Sequence, residues 1–168
     1  SVMASILKVN TIQDATNSTT ALSIDSSGRV AQPQKPSITV EMTQNGYTNV
    51  ANDGVIPFNN VLFNSGGLGS SFDTSTYKLT VPIAGVYLMT FFALVESSEN
   101  NVDVSFFQDS TRIGRLYQSS NRGISGSMTV VASVGNTLYF KNSVGATRGF
   151  YGNNNTTDRY TNASITLL

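Results

Sequence analysis

The pattern of apolar and polar positions centres on Tyr77 to Val95, YKLTVPIAGVYLMTFFALV. It opens with alternation, Tyr77, Leu79 and Val81 on one face and Lys78 and Thr80 on the other. Pro82 to Gly85 then turns the chain into a longer run. There, Tyr87, Met89, Phe91, Ala93 and Val95 form one face, and Val86, Leu88, Phe92 and Leu94 form the other, with Thr90 its single polar member. A strand with one wet face alternates apolar and polar residues; this run is apolar on both sides. Its aromatic and β-branched content predicts a strand, and it is too short for a transmembrane helix. Leaving Val86, Leu88, Phe92 and Leu94 in water would forfeit about 6–12 kcal/mol per chain, at about 1.5–3 kcal/mol each. That rivals the net stability of a typical domain, about 5–15 kcal/mol. One face belongs to the domain's own core. The other needs either the chain's own loops or another copy of the chain, and self-association is the reading adopted.

The flanking sequence predicts further short strands separated by turn residues and no helix of consequence. Ile38, Val40 and Met42 alternate with Thr39, Glu41 and Thr43. Val55 to Phe58 and Val61 to Phe63 are shorter, with Pro57 marking an edge. Later candidates are 102–108, 111–117, 124–133, 137–142 and 160–168. Residues 1–31 read as a separate stem segment, with strands at Ser5–Ile12, Ala21–Asp25 and Arg29–Ala31 that hold too few apolar residues to fold alone. Residues 32–36 form a stiff Pro-containing linker, and 37–168 a head. If successive strands of the head run antiparallel, short turns (Pro82–Gly85, Asp109-Ser110, Val134–Asn136) gather at a base. Long loops (Asn64–Ser75, Ser97–Asn101, Gln118–Gly123, Gly145–Arg159) then gather at an apex, the usual place for function on a rigid scaffold.

Composition narrows the chemistry. The 168 residues include ten acids, ten bases, and no Cys, His or Trp. Without histidine or cysteine the common nucleophile–base pairs, thiolate metal sites and disulfides are excluded. With balanced charge and no basic run, neither nucleic acid nor an anionic membrane is an expected partner. No apolar stretch is long enough to span a bilayer, and the opening residues lack a basic-then-apolar leader pattern. There is no phosphate loop and no G-x-S-x-G. The acids near loops, Asp73, Glu99, Asp103, Asp109 and Asp158, lack the convergent spacing that calcium requires. Neither a metal nor another cofactor is expected.

FDTSTYKLTVPIAGVYLMTFF (Phe72 to Phe92), SMTVVASVGNTLYFKN (Ser127 to Asn142) and ASITLL (Ala163 to Leu168) resemble the globular head of complement C1q and the related tumour-necrosis-factor-like jelly rolls. Gly85, Tyr87, Met89 and Phe91 match that family's G-x-Y-x-[apolar]-x-aromatic strand, with Leu79 and Gly67 departing from its usual residues. The resemblance implies an all-β, homotrimeric sandwich of about ten antiparallel strands. It places the Tyr87, Met89, Phe91 row in the core and Val86, Leu88, Phe92 and Leu94 at the trimer interface. ILKVNTIQDATNSTTALSIDSSGRV (Ile6 to Val30) is similar to a segment that opens tail-fibre and other virion proteins of bacteriophages, especially those infecting marine cyanobacteria.

These resemblances imply a non-enzymatic virion protein, made in the host cytoplasm and displayed on the particle exterior. It would be a trimeric fibre or knob, anchored to other virion proteins through residues 1–31, whose head contacts a host surface glycan or protein. A mainly structural capsid or neck decoration protein and a secreted C1q-like receptor ligand are the alternatives, and a depolymerase is the weakest. The expected ligand-contact loops hold Phe150, Tyr151, Asn153, Asn154, Asn155, Asp158 and Arg159, extended by Asn100, Asn101, Asn121 and Arg122, since aromatic faces and amides suit sugars.

Overall fold

The computed structural model describes residues 9–96, 101–119, 123–154 and 158–168. It divides into two compact units, one ending at Lys35 and the other spanning Pro36–Leu168. The first is a three-stranded antiparallel meander of β1 (Thr11–Gln13), β2 (Thr20–Ile24) and β3 (Val30–Ala31). Asp25 closes its second turn by accepting the backbone N–H of Ser27 and Arg29, with Gly28 in the left-handed conformation.

The second unit is a sandwich of two five-stranded sheets plus a two-stranded ribbon. Its strands are β4 (Ser37–Glu41), β5 (Gly46–Val50), β6 (Asn60–Ser65), β7 (Phe72–Asp73), β8 (Lys78–Thr80) and β9 (Gly85–Leu94). The remainder are β10 (Asn101–Gln108), β11 (Thr111–Ser119), β12 (Gly123–Ala132), β13 (Thr137–Asn142), β14 (Arg148–Gly152) and β15 (Thr161–Leu167). One sheet has the order β12-β9-β15-β4-β6, the other β11-β10-β13-β8-β7, and β14 pairs with β5. A single 3-10 turn, Leu68–Ser71, is the one helical element among the described residues.

β9 runs through the first sheet with β12 and β15 on either side, its two faces divided as the sequence predicts. Tyr87, Met89, Phe91 and Ala93 are buried in the core. Phe91 meets Phe58 and Phe140, and Phe140 also packs edge-on against Phe106 at 5.1 Å between ring centres. The Tyr87 hydroxyl donates to the Ile83 carbonyl at 2.7 Å, which satisfies the one polar atom that this row carries inward.

The outward face is a grid set by the register. One row crosses the sheet as Ser127, Thr90, Ser164, Thr39 and Phe63, and the row below it as Thr129, Leu88, Thr166, Ser37 and Ser65. Hydroxyls tie neighbouring strands together, Ser37 to Thr166 at 2.8 Å and Thr39 to Ser164 at 2.9 Å. Val86 (41 % exposed) beside Val131, and Phe92 (43 % exposed), stay open to solvent, while Leu88 and Leu94 are half-buried. Among the described residues, none buries Val86 or Phe92 on this face.

Several expectations are corrected. Tyr77 belongs to a turn, not to the strand: it has φ 60° and its N–H donates to the Asp73 carbonyl, so β8 starts at Lys78. Val55–Phe58 makes one bridge, Val55 to Lys141, instead of a strand, because Pro57 has no N–H to extend the ladder. With that crossing removed the parity of the strands changes. Ser65 lies opposite Ser37, so the loop starting at Asn64 opens at the base and not at the apex. The stretch Gly145–Arg159, expected to be a loop, contains β14.

Two predictions follow from this packing. Phe140→Ala, at the junction of four core rings, lowers unfolding free energy by about 3–5 kcal/mol, read from denaturant unfolding with an unchanged slope. Asp73 accepts Ser75 Oγ and N–H and Thr76 Oγ, which pulls its carboxyl down to about 2 from the usual 3.8. Its support for the 73–78 hairpin is therefore complete above pH 3.8 and disappears as pH falls through about 2. Carboxyl NMR titration of Asp73 should give that low midpoint, and a midpoint at the ordinary aspartate value would contradict the hydrogen bonding.

Candidate functional site

The apex of the sandwich, the end at which Glu41 lies opposite Asn162, carries a group of exposed and half-buried aromatic and amide side chains at the predicted site. The ribbon β5–β14 builds it. Tyr47 and Tyr151 are cross-strand partners on one face of the ribbon, with ring centres 4.9 Å apart in an edge-on arrangement. Tyr160, just before β15, packs edge-on against Tyr151 at 4.7 Å. Thr161 Oγ1 donates to the Tyr151 carbonyl at 2.8 Å and locks the ribbon to the last strand. Beyond Tyr151 the chain is held by its backbone N–H groups, Asn153 donating to the Met42 carbonyl and Asn154 to the side-chain Oδ1 of Asn45.

Two glycines make this packing possible. A side chain at Gly152 would place its Cβ 2.5 Å from the Gln44 carbonyl oxygen, a backbone atom with no room to yield. At Gly149 it would meet the Glu96 carboxylate at 2.9 Å and Tyr47 Cβ at 3.3 Å. Glu96 therefore covers Gly149 of the ribbon, and its N–H donates to the Gly149 carbonyl at 2.9 Å.

The predicted residues divide clearly. Tyr151, Asn153 and Asn154 come together, joined by Tyr47, Tyr160 and Asn45, which the sequence reading missed. Phe150 is corrected from ligand contact to core: it is 0 % exposed and bridges to Val95, because the strand's alternation turns it opposite to Tyr151. Arg159 is not a lone cation, since it pairs with the buried carboxylate of Glu41, which also accepts from Asn60 at 2.8 Å. Asn101 belongs to another contact, its carbonyl and side-chain oxygens both accepting from Arg148. Asp158 is exposed. Asn155, Asn100, Asn121 and Arg122 lie outside the described residues. The one signal that could have exposed Tyr47 was the polar–aromatic alternation in Gly46–Val50, a strand too polar to stand out.

Among the described residues no group of three or more acidic side chains gathers to hold a metal. An open cleft of about 550 Å³ at the base includes Asp73, Val81, Pro82 and Val134. Its carboxylate, Asp73, is already occupied by Ser75 and Thr76. A row of cations over rings marks the outer sheet, Lys78 over Tyr139 at 4.5 Å and Lys141 over Phe107 at 4.7 Å. On β10, Asp103 is fully buried and pairs with Arg115, whose pKa that hydrogen bond pushes upward.

Two antiparallel five-stranded sheets in these orders, with β9 and β15 adjacent at the middle of one, define a jelly-roll sandwich of the C1q/TNF type. The C1q domain model matches residues 38–161, and the chain belongs to that family. Domains of this family form trimers and bind ligands. Solved structures share the fold at low identity. The Eiger TNF of S. frugiperda superposes with a TM-score of 0.61 and 12 % identity, covering 80 % of this chain and 93 % of that one. The globular domain of zebrafish complement 1qA gives 0.55 and 15 %, with 79 % and 94 % covered. Murine APRIL gives 0.61 and 10 %, with 79 % and 98 % covered. No curated protein matches in sequence.

The close approach at Gly152 yields a prediction. Gly152→Val displaces the ribbon tip and costs about 1–3 kcal/mol, while the near-ultraviolet circular dichroism of the tyrosines falls and the far-ultraviolet spectrum is kept. An unaltered near-ultraviolet spectrum would show that the ribbon does not position the three rings.

Proposed function

We propose that this chain is a non-enzymatic display protein whose C1q-like head trimerises through the open face of β9 and contacts a surface ligand at its apex. Val86, Leu88, Phe92 and Leu94 form the centre of the subunit interface, with Val131 alongside. The observation that carries this reading is the exposure of Val86 and Phe92 on a strand whose other side is core. Apolar area of this kind on a domain poor in charge has its natural partner in another copy, and three copies close a ring of heterologous contacts.

At the apex, Tyr47, Tyr151 and Tyr160 supply ring faces and edges, and Asn153, Asn154 and Glu96 supply amides and an acceptor. That mixture suits a host-surface glycan, in which apolar C–H faces alternate with hydroxyls. The resemblance of Ile6 to Val30 to the opening of phage virion proteins supports a fibre or knob on the particle exterior, with residues 1–31 as its anchor to other virion proteins.

Light scattering tests the interface. The purified chain should have three times its 17.9 kDa mass, and Leu88→Asp should give folded monomer; a monomeric parent chain overturns the reading. Adsorption to host cells tests the apex. Tyr47→Ala and Asn154→Ala should lower binding at least ~10-fold, the equivalent of losing about 1.4 kcal/mol of contact, with the trimer intact. Unchanged adsorption would instead assign the head to structural decoration.

A further inference from the structure

The N-terminal meander is amphipathic across its strands, a feature that the mainly polar sequence of this region conceals. The register places Ile12 opposite Leu22 and Ile24 opposite Val30, so all four lie on one face. Thr11, Ser23 and Ala31 lie opposite one another on the other face. Ile12 is 46 %, Ile24 37 % and Val30 62 % exposed, so the apolar row is largely uncovered. Three charged groups of this unit are engaged locally. Asp14 accepts Thr16 and Asn17 N–H within its own turn, and Arg29 is paired with Asp25 at 2.6 Å.

We propose that this row packs against the same row of two further copies, making a three-sided β-stem with Ile12, Leu22, Ile24 and Val30 along a dry axis. This rests on the trimeric reading of the head. Two features favour a copy of the chain over a foreign protein. The row carries no charge or hydrogen-bonding group with which to select a partner, and an identical row matches it in chemistry and length. The row is also far smaller than a free-standing interface, which engages ~20–30 residues a side. Contact between segments already tethered together has no such requirement, because a short linker raises their effective concentration. Gln32 to Pro36, a short connection with two prolines, supplies that tether when the heads trimerise.

The absence of cysteine gives a clean test in the full chain. Val30→Cys and Ala31→Cys are neighbours on β3 that face opposite ways, as are Ile12→Cys and Thr11→Cys on β1. Each variant is treated with a short bismaleimide and read as covalent dimer on a denaturing gel, with its native mass taken by light scattering. Trimeric Val30→Cys and Ile12→Cys should cross-link at least ~10-fold more than trimeric Ala31→Cys and Thr11→Cys, as an inward face at raised effective concentration requires. Equal or negligible cross-linking of the two faces in trimeric protein overturns the stem and leaves the head reading standing. Monomeric mass for the unsubstituted chain overturns both.

Discussion

The head is organised around β9, a central strand that carries apolar side chains on both of its faces. Its inward row seals the space between the sheets, where Phe58, Phe91, Phe106 and Phe140 meet. Its outward row lies in a field of small hydroxyls, flanked by Ser127, Thr129, Ser164 and Thr166 on β12 and β15. Ser164 and Thr166 bond in turn to the hydroxyls of Thr39 and Ser37 on β4, and Val86 and Phe92 stay exposed among these polar positions. A sheet of this kind satisfies its own polar groups while leaving its apolar ones unsatisfied.

The apex follows a different logic. Its rings are held by the backbone more than by burial: a ribbon is pressed against the 42–44 segment where only glycine fits, and Thr161 fastens it to the closing strand. Tyr151 is caught between Tyr47 and Tyr160, so its ring orientation is fixed by packing within the apex itself. The Glu41–Arg159 pair next to it has the opposite role, using a nearly buried carboxylate to fix the chain that leads into β15.

Much of this was legible from residue order alone. The split of β9 into inner and outer rows, the five later strands and the hairpin around Gly28 all rest on local alternation and turn chemistry, and those signals survive folding unchanged. Errors arose where local signals compete. Pro57 within an apolar run has the local signature of an edge strand but supports only a bridge, and the missing crossing puts the Asn64 loop at the base. Phe150 and Tyr151 are adjacent aromatics that looked alike as ligand contacts. Pairing with β5 sends one inward and the other outward.

Sequence alone thus determined that the chain is all-β, poor in charge, without the usual catalytic side chains, and apolar on both faces of its central strand, since those properties depend on composition and on a period of two. Tertiary structure decided which distant strands became neighbours. Tyr47 joins Tyr151 and Tyr160, Arg159 meets Glu41, and Ile12 lines up with Leu22, Ile24 and Val30. Register between strands far apart in the chain is set by the collective fit of two faces, and no local window of residues contains that information.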